Sequence, residues 1–161
     1  MISSRIIRAL LAGAISSAAM WAFMRFMPLL GGPNVDAIAL LSTVSAQFGP
    51  LVPLTQYLLL SVIVFPFLYA TLLYRDLPGS PWQKGLLWGV ILFALRGLIV
   101  SPVMGQGLFG LGGEDHAVTV LIEMFVAHCI YGSLLGVIIG DQPRTKVQAY
   151  APRERELQRR R

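Results

Sequence analysis

The sequence predicts an all-α membrane protein, a bundle of four transmembrane helices with the N-terminus and the C-terminus both on the cytoplasmic side. Two observations predict this fold class. Hydrophobic residues make up 55% of the 161-residue chain and charged residues only 13%, whereas soluble domains carry roughly 25% charged residues. The chain also contains four apolar segments, each close to the roughly 20 helical residues that are needed to cross a bilayer.

The four apolar segments follow one another with short connections and are predicted to form one transmembrane domain over residues 1–141. Hydrocarbon offers the backbone no hydrogen-bond partner, so each segment is predicted to be a helix. Pro66 lies within the second segment, where its missing N–H predicts a kink. The predicted spans are residues 6–27, 51–74, 85–103 and 117–139.

The positions of the basic residues predict the orientation. All but two of the 13 Lys and Arg residues, Arg25 and Arg96, lie at the start of the first span, between the second and third spans, or after the fourth. The opposite connections carry Asp36, Glu114 and Asp115. Because Lys and Arg accumulate on the cytoplasmic side, the chain is predicted to be a multi-pass protein of a prokaryotic cytoplasmic (inner) membrane, with both termini inside.

A cleaved signal peptide is a second interpretation of the first segment. Basic residues precede it, and the small residues Ser17-Ala18-Ala19 lie within it. The apolar run nevertheless continues through Trp21–Phe26, which is long for a signal peptide. Cleavage would also leave three spans and an N-terminus outside. The interpretation as a retained transmembrane helix is therefore favoured.

The regions outside the spans have patterns of their own. Residues 34–48 carry apolar side chains at helical spacing, which predicts a short helix on the outer surface, capped by Asn34. The glycine-rich loop of residues 104–113 is predicted to be a flexible connector, with a re-entrant segment as the alternative. The basic tail of residues 142–161 is predicted to be cytoplasmic and attracted to anionic lipid. Nothing in it predicts nucleic-acid binding.

Small residues at a spacing of four predict where the helices pack, because close backbone approach drives helix association in lipid. The first, third and fourth spans contain such residues, and the second is expected to be more peripheral. The strip on the fourth span faces either an internal helix or a partner subunit. The predicted packing glycines are Gly13, then Gly85 and Gly89, and finally Gly132, Gly136 and Gly140.

Ionisable residues inside the apolar segments form the candidate site, since such groups are costly in a membrane. Arg96 and Glu123 lie roughly 10 and 9 Å from the outer ends of two antiparallel helices, which predicts an ion pair. Arg25 either joins this pair or extends outward to water. His128, near the midplane, completes the predicted buried polar cluster. The cluster either locks the helices together or forms a polar pathway that opens outward.

Haem ligation by His128 is a sharper alternative, because histidine is a common axial ligand. A second histidine at matching depth would be needed, and His116 lies about 18 Å away along the same helix. The chain has a single cysteine, Cys129, and lacks phosphate-loop, zinc-protease and nucleophile-elbow motifs. We therefore predict no catalytic residues, no metal site, no cofactor and no enzymatic activity.

Several stretches, taken in order, resemble a known family. They are Leu10–Ile15, Leu77–Trp82 followed by Gly85–Gly89, Pro102–Phe109 and His128–Gly136. Over roughly residues 5–141 the chain is similar to a family of short prokaryotic four-helix membrane proteins known only as a domain of unknown function. That family is loosely associated with respiratory and terminal-oxidase gene groups. The resemblance implies partners of that kind and supplies no catalytic residues.

These observations predict a non-catalytic accessory or structural subunit of a larger respiratory or other energy-transducing membrane complex. Its partners would be other membrane-protein subunits and lipids, with a homo-oligomer as an open alternative. The second functional hypothesis is a small homo-oligomeric transporter or channel that uses Arg96, Glu123 and His128. The third is a haem-binding, cytochrome-like subunit.

Overall fold

The computed structural model describes residues 2–112 and 116–140, and these residues form helices and their connections without a β-strand. The acidic residues Glu114 and Asp115 and the basic tail of residues 142–161 lie outside the described residues. Four helices are long and apolar enough to cross a membrane, as predicted. The helices are α1 (Ile2–Phe26), a short α2 (Ala37–Ser45), α3 (Val52–Leu73), α4 (Pro81–Val103) and α5 (Ala117–Ile139).

The connection between α1 and α3 contains the predicted short helix, but it begins later than expected. A 3₁₀ turn, Met27–Leu30, ends at Gly31, which has a positive φ of 83°. The cap of α2 is Asp36 and not Asn34, because the Asp36 Oδ1 accepts hydrogen bonds from the backbone N–H groups of Ile38 (2.9 Å) and Ala39 (3.1 Å). A side-chain acceptor at this position satisfies N–H groups that have no partner within the helix.

Prolines within the spans are accommodated by widened turns. In α3 the stretch Leu59–Val64 is π-helical and is followed by the α-helical turn that contains Pro66. In α4 the π-helical stretch Arg96–Val100 likewise precedes Pro102. A proline ring clashes with the carbonyl one turn before it and removes a hydrogen bond. A π turn shifts the hydrogen-bond pattern by one residue, so both interruptions fall where a regular α-helix would be strained.

The start of α4 lies four residues before the predicted one. Pro81 is the first residue of the helix, a position that suits proline because the first N–H groups have no partner within the helix. The Gln83 Oε1 accepts a hydrogen bond of 2.9 Å from the backbone N–H of Ser80, which is half of a capping box. These polar residues sit outside the apolar run, so hydropathy alone placed the start at Gly85.

The centre of the bundle is α5. Half of its most hydrophobic stretch is buried within the protein, against 17% for α3. It packs most extensively on α4 and then on α1, while α1 also packs on α3. The prediction that the second span is the most peripheral is therefore confirmed by its burial, although that helix also contributes polar side chains to the interior, as described below.

Glycines on α4 and α5 bring these two helices into backbone contact. A Cβ on Gly132 would lie 2.6 Å from the Gly89 nitrogen, and a Cβ on Gly85 would lie 2.8 Å from the Gly136 Cα. Ordinary Cβ contacts are 3.4–4 Å. Side chains at these positions would force the helices apart, which is the physical basis of small-residue packing in membranes. The glycine strip on the fourth span therefore faces an internal helix.

Two of the predicted packing glycines act differently. Gly13 packs on α3 and not on α4 or α5, since a Cβ there would lie 2.7 Å from the carbonyl oxygen of Val62. Gly140 has a φ of 62° and follows the last residue of α5. Glycine adopts a positive φ without strain, so Gly140 ends the helix and does not take part in the contact between α4 and α5.

Charged side chains mark the two ends of the bundle. At one end, called the Lys84 end, the Lys84 Nζ donates to the carbonyl oxygen of Tyr74 (2.8 Å) and the Arg8 guanidinium donates to that of Ile139 (3.4 Å). At the other, called the Asp36 end, Arg25 pairs with Asp36 at 3.7 Å. The basic residues Arg8 of the first span and Lys84 of the third span thus lie at one end, as their spacing along the sequence predicts.

The loop between α4 and α5 folds back onto α4. Phe109 has a φ of 55°, rests on Gly97 and contacts the ring of Phe93 with centroids 5.6 Å apart. Gly97 lies six residues inside α4, about 9 Å from its end. The loop is therefore packed against the bundle at Phe109, unlike the unattached connector that its composition predicted.

Candidate functional site

Two members of the predicted polar cluster come together between α4 and α5. The Arg96 guanidinium on α4 lies close enough to the His128 ring on α5 to influence it electrostatically. Its Nη1 also donates to the Ser101 hydroxyl at 3.5 Å. The His128 ring contacts Phe93 edge-on, with centroids 5.9 Å apart. His128 faces α4, as its position one turn before Gly132 predicted.

The hydrogen bond of His128 defines which ring nitrogen is protonated. Its Nδ1 lies 2.7 Å from the carbonyl oxygen of Met124, and a carbonyl can only accept, so Nδ1–H is the donor. The Nε2 of a neutral ring then keeps its lone pair, which is the arrangement seen in metal-binding histidines. His116, the residue that precedes α5, is exposed and lies twelve residues away, about 18 Å along the helix.

The predicted Arg96–Glu123 ion pair is not formed. Neither carboxylate oxygen of Glu123 has a hydrogen-bond partner, and Arg25–Asp36 is the ion pair found among the described residues. The two groups do share a depth, but depth does not determine direction. Residues five apart on an α-helix point about 140° apart, so Glu123 and His128 lie on different faces of α5.

Arg25 also lies outside the predicted cluster. Its side chain is half exposed, stacks over the Trp21 ring at 5.4 Å from the centroid, and pairs with Asp36. This is the outward extension that the sequence allowed, because a long side chain near a helix end reaches water at little cost. Of the four predicted cluster members, the structure therefore brings together only Arg96 and His128.

Glu123 is buried on the interior face of α5, with 2% of its surface exposed. It begins a row of buried residues at spacing four that continues through Ala127 to Tyr131. The Tyr131 hydroxyl donates to the carbonyl oxygen of Ser61 on α3 at 2.6 Å. This row places Glu123 on the side of α5 that faces the interior of the bundle.

The sequence analysis missed a set of buried polar side chains near this row. The Tyr57 hydroxyl on α3 donates to the carbonyl oxygen of Ser17 on α1 at 3.5 Å, and Tyr57 and Tyr131 are close enough to interact electrostatically. Nearer the Lys84 end, Tyr69 stacks on Trp88 with ring centroids 6.2 Å apart. Buried side-chain atoms without a hydrogen-bond partner belong to Ser16, Ser17, Tyr69, Trp88 and Glu123.

A pattern in the sequence could have revealed these groups. Tyr57, Ser61 and Tyr69 lie four and eight residues apart on α3, so they share one helix face. Serine and tyrosine are common in transmembrane segments and carry little weight one at a time. Their shared face becomes apparent only when the three positions are considered together. We call Ser16, Ser17, Tyr57, Ser61, Tyr69 and Tyr131 the hydroxyl column.

A further face of α5, besides the glycine face and the row from Glu123 to Tyr131, carries an open apolar groove of about 430 Å³. Two smaller side chains, Cys129 and Ser133, lie in it at a spacing of four. The larger residues that line the groove are Phe125, Val126, Ile130 and Leu134. This face is distinct from the glycine face that packs on α4, since Gly132 and Gly136 are buried and the groove is open.

Among residues 2–112 and 116–140, no group of three or more His, Cys, Asp or Glu side chains converges as a metal site would require. Glu123 and His128 are present in the interior, but they lie on different faces of α5. Chemically, the interior offers one buried acid and several hydroxyl groups.

Comparison with known proteins gives one family. A family model matches residues 3–147 and is described as a family of unknown function, DUF6789. The chain belongs to this family. The match covers all four spans, in agreement with the resemblance that the sequence motifs carry. No curated protein and no solved structure matches the chain.

Proposed function

We propose that this member of the family is a non-catalytic subunit of a larger complex in a prokaryotic cytoplasmic membrane. The observation that carries the proposal is the groove on α5. The central helix packs most extensively on α4 and α1, and a further face of it is open and apolar and includes the small side chains of Cys129 and Ser133. Small residues at spacing four let a further helix approach closely.

The occupant proposed for this groove is a transmembrane helix of another membrane protein. Within the chain, the glycine strip is already used between α4 and α5, so it is not available to a partner. The groove is the remaining small-residue face of α5. The respiratory association implied by the sequence resemblance makes an energy-transducing complex the first class of partner to test.

The proposed orientation places the Lys84 end and both termini in the cytoplasm. Its support is the meeting of Arg8 and Lys84 at one end of the bundle, opposite Arg25 and Asp36. Basic residues are retained on the cytoplasmic side during insertion. A reporter protein that is active only in the cytoplasm should be active when it is fused after Gly140. Activity of a second reporter that works only in the periplasm, fused at the same position, would contradict the orientation.

The subunit proposal is tested by filling the groove. Ser133→Leu should abolish co-purification of partner proteins in mild detergent, because the larger side chain occupies the space for the incoming helix. Thr71→Leu is the matched control, since Thr71 is exposed on α3 and its hydroxyl is bonded within its own helix, to the carbonyl oxygen of Phe67. Both variants should remain folded by circular dichroism. Recovery of the wild type as a lone monomer, or unchanged partners with Ser133→Leu, would sink the proposal.

Cross-linking in the same groove distinguishes a homo-oligomer from a complex with a different protein. Cys129 is the only cysteine of the chain and lines the groove. If a second copy docked there, mild oxidation in membranes would join the two Cys129 side chains into a covalent dimer. A dimer of that kind would replace the proposed heteromeric partner with a second copy of this chain.

The other two functional hypotheses have weaker support. A transport cavity shared by Arg96, Glu123 and His128 requires these side chains to face one space, and Glu123 lies on a different face of α5. Haem binding has one supporting feature, the Nε2 of His128 that is left without a proton by the Met124 hydrogen bond. An absorption spectrum of the purified protein tests haem directly, and a Soret band lost in His128→Ala would establish it.

A further inference from the structure

We propose that Glu123 is a proton-binding site inside the membrane, held as a neutral carboxylic acid that exchanges its proton with water reaching it along the hydroxyl column. The proposal is independent of the subunit role, since it concerns the interior of the bundle and not the groove on α5. It assigns a ligand, the proton, to a residue that packing does not require to be acidic.

The carboxyl group of Glu123 lies in surroundings that favour its neutral form. Glu123 is 2% exposed, and neither of its oxygens has a hydrogen-bond partner among the described residues. A buried carboxylate without a cation or donors bears its full desolvation cost. Protonation removes the charge and makes the group a donor as well as an acceptor. The neutral acid is therefore the form that this site stabilises.

The charged side chains that the structure describes on the neighbouring helices are bonded to groups other than Glu123. Arg25 pairs with Asp36, Arg96 donates to Ser101, and the Nδ1 of His128 donates to Met124. At the far end, Arg8 and Lys84 donate to backbone carbonyls. The remaining titratable side chains that the structure describes within the helices around Glu123 are the phenols of Tyr57, Tyr69 and Tyr131 and the thiol of Cys129, none of which supplies a positive charge.

The hydroxyl column contains both bonded and unpartnered hydroxyl groups. The Tyr57 and Tyr131 hydroxyls donate to backbone carbonyls of α1 and α3, whereas the Ser16, Ser17 and Tyr69 hydroxyl oxygens are buried without a partner. Buried polar atoms are nearly always satisfied by protein or by ordered water. Unpartnered hydroxyls on α1 and α3 therefore indicate a hydrated interior.

The column extends in depth through much of the bundle. Tyr57 lies roughly 8 Å and Ser61 roughly 14 Å from the Asp36 end of α3, and Tyr69 lies roughly 6 Å from its other end. Glu123 lies about 9 Å inside α5 from the Asp36 end, so it is level with the outer part of the column. Waters bound to these hydroxyls would give the carboxyl group a route for proton exchange.

A metal cation fits the site less well than a proton. Sodium or calcium would need several oxygen ligands, including more than one strong donor. Glu123 is the one carboxylate on the interior face of α5, and no cluster of three acidic, histidine or cysteine side chains forms in the described part of the chain. Protonation needs no ligand beyond the two oxygens that are present.

Infrared spectroscopy of the full chain in lipid vesicles tests the proposal. At neutral pH the wild type should show the carbonyl stretch of a protonated carboxylic acid, and the band should shift in D₂O as the proton exchanges. Glu123→Gln should remove the band and leave the fold and thermal stability unchanged, because glutamine is a neutral group of the same shape. Asp36→Asn is the control, since Asp36 is an exposed, ion-paired carboxylate, and should keep the band.

Each outcome decides the matter. Absence of the band at neutral pH, or a band that persists in Glu123→Gln, would show that Glu123 is ionised and overturn the proposal. A band that does not shift in D₂O would show a sealed site and would overturn the exchange along the column. Replacement of Tyr57 and Tyr131 by phenylalanine should slow the D₂O shift severalfold while leaving the band in place, and an unchanged rate would contradict the column as the route.

Discussion

Adding one methyl group to the contact between α4 and α5 tests whether glycine sets the distance between these helices. In Gly132→Ala the atom nearest to the new Cβ would be the Gly85 carbonyl oxygen, and the Cβ would also lie 2.6 Å from the Gly89 nitrogen and 2.8 Å from its Cα, where ordinary Cβ contacts are 3.4–4 Å. All three opposing atoms belong to backbone and cannot rotate away. The helices must therefore separate by about 1 Å, which forfeits a quarter to a half of the dispersion energy of each stretched contact.

The expected loss of stability follows from two opposing effects. Overpacking of a close contact costs roughly 1–3 kcal/mol, and replacing glycine by alanine within a helix recovers roughly 0.5–1 kcal/mol. Because the opposing atoms are backbone, the overpacking cost should lie near the upper end of its range, and the free energy of unfolding of Gly132→Ala should fall by about 2 kcal/mol. Gly85→Ala acts across the same contact, so the double variant should lose less than the sum, because one separation accommodates both methyl groups.

The assay is equilibrium unfolding in mixed micelles of mild and denaturing detergent, followed by circular dichroism. Val118→Ile is the control, because it adds a methylene to an exposed side chain of the same helix and should change stability by less than about 0.5 kcal/mol. If Gly132→Ala were as stable as the wild type, or if the two glycine variants were fully additive, the backbone contact would not be what holds α4 against α5.

Three further variants test contacts elsewhere in the bundle. A double-mutant cycle on Arg25 and Asp36, measured by thermal unfolding, should give a coupling below about 1 kcal/mol, because the pair is exposed; a larger value would indicate a buried pair. Phe109→Ala should cost on the order of 1–3 kcal/mol, less than a fully buried phenylalanine, and should speed proteolysis of the loop that rests on Gly97; an unchanged cleavage rate would contradict that packing. Tyr131→Phe should lower the free energy of unfolding by about 0.6 kcal/mol, typical of hydrogen bonds between membrane helices, and no change would argue against its bond to α3.

Hydropathy located the spanning helices well because their composition is dominated by a single requirement. The apolar side chains must face lipid or one another, so the segments around Pro66 and Glu123 stand out in the sequence whatever their tertiary partners. Ends were less predictable where polar residues cap a helix. Ser80 and Gln83 extend α4 by a turn that hydropathy cannot detect.

The candidate site was likewise predictable where helical spacing decided it and unpredictable where helix rotation did. His128 and Gly132 share a helix face by their spacing alone, and the structure confirms that this face meets α4. The prediction of an Arg96–Glu123 ion pair was wrong, because equal depth in the membrane does not determine the rotation of each helix about its axis. The polar interaction that α5 does make with α3, from Tyr131 to the Ser61 carbonyl, joins residues 70 positions apart, and no local pattern connects them.

By itself the sequence determined that the chain contains four apolar helices, with basic residues concentrated before, between or after alternate spans and with glycines spaced for close packing. These properties follow from local composition and helical periodicity. The tertiary structure alone decided which faces meet: it placed Gly13 against α3, sent Arg25 outward to Asp36, and left Glu123 buried without a partner. The physical reason is that packing fixes the rotation of each helix through many distant contacts at once, and that rotation determines which side chains a buried group such as Glu123 meets.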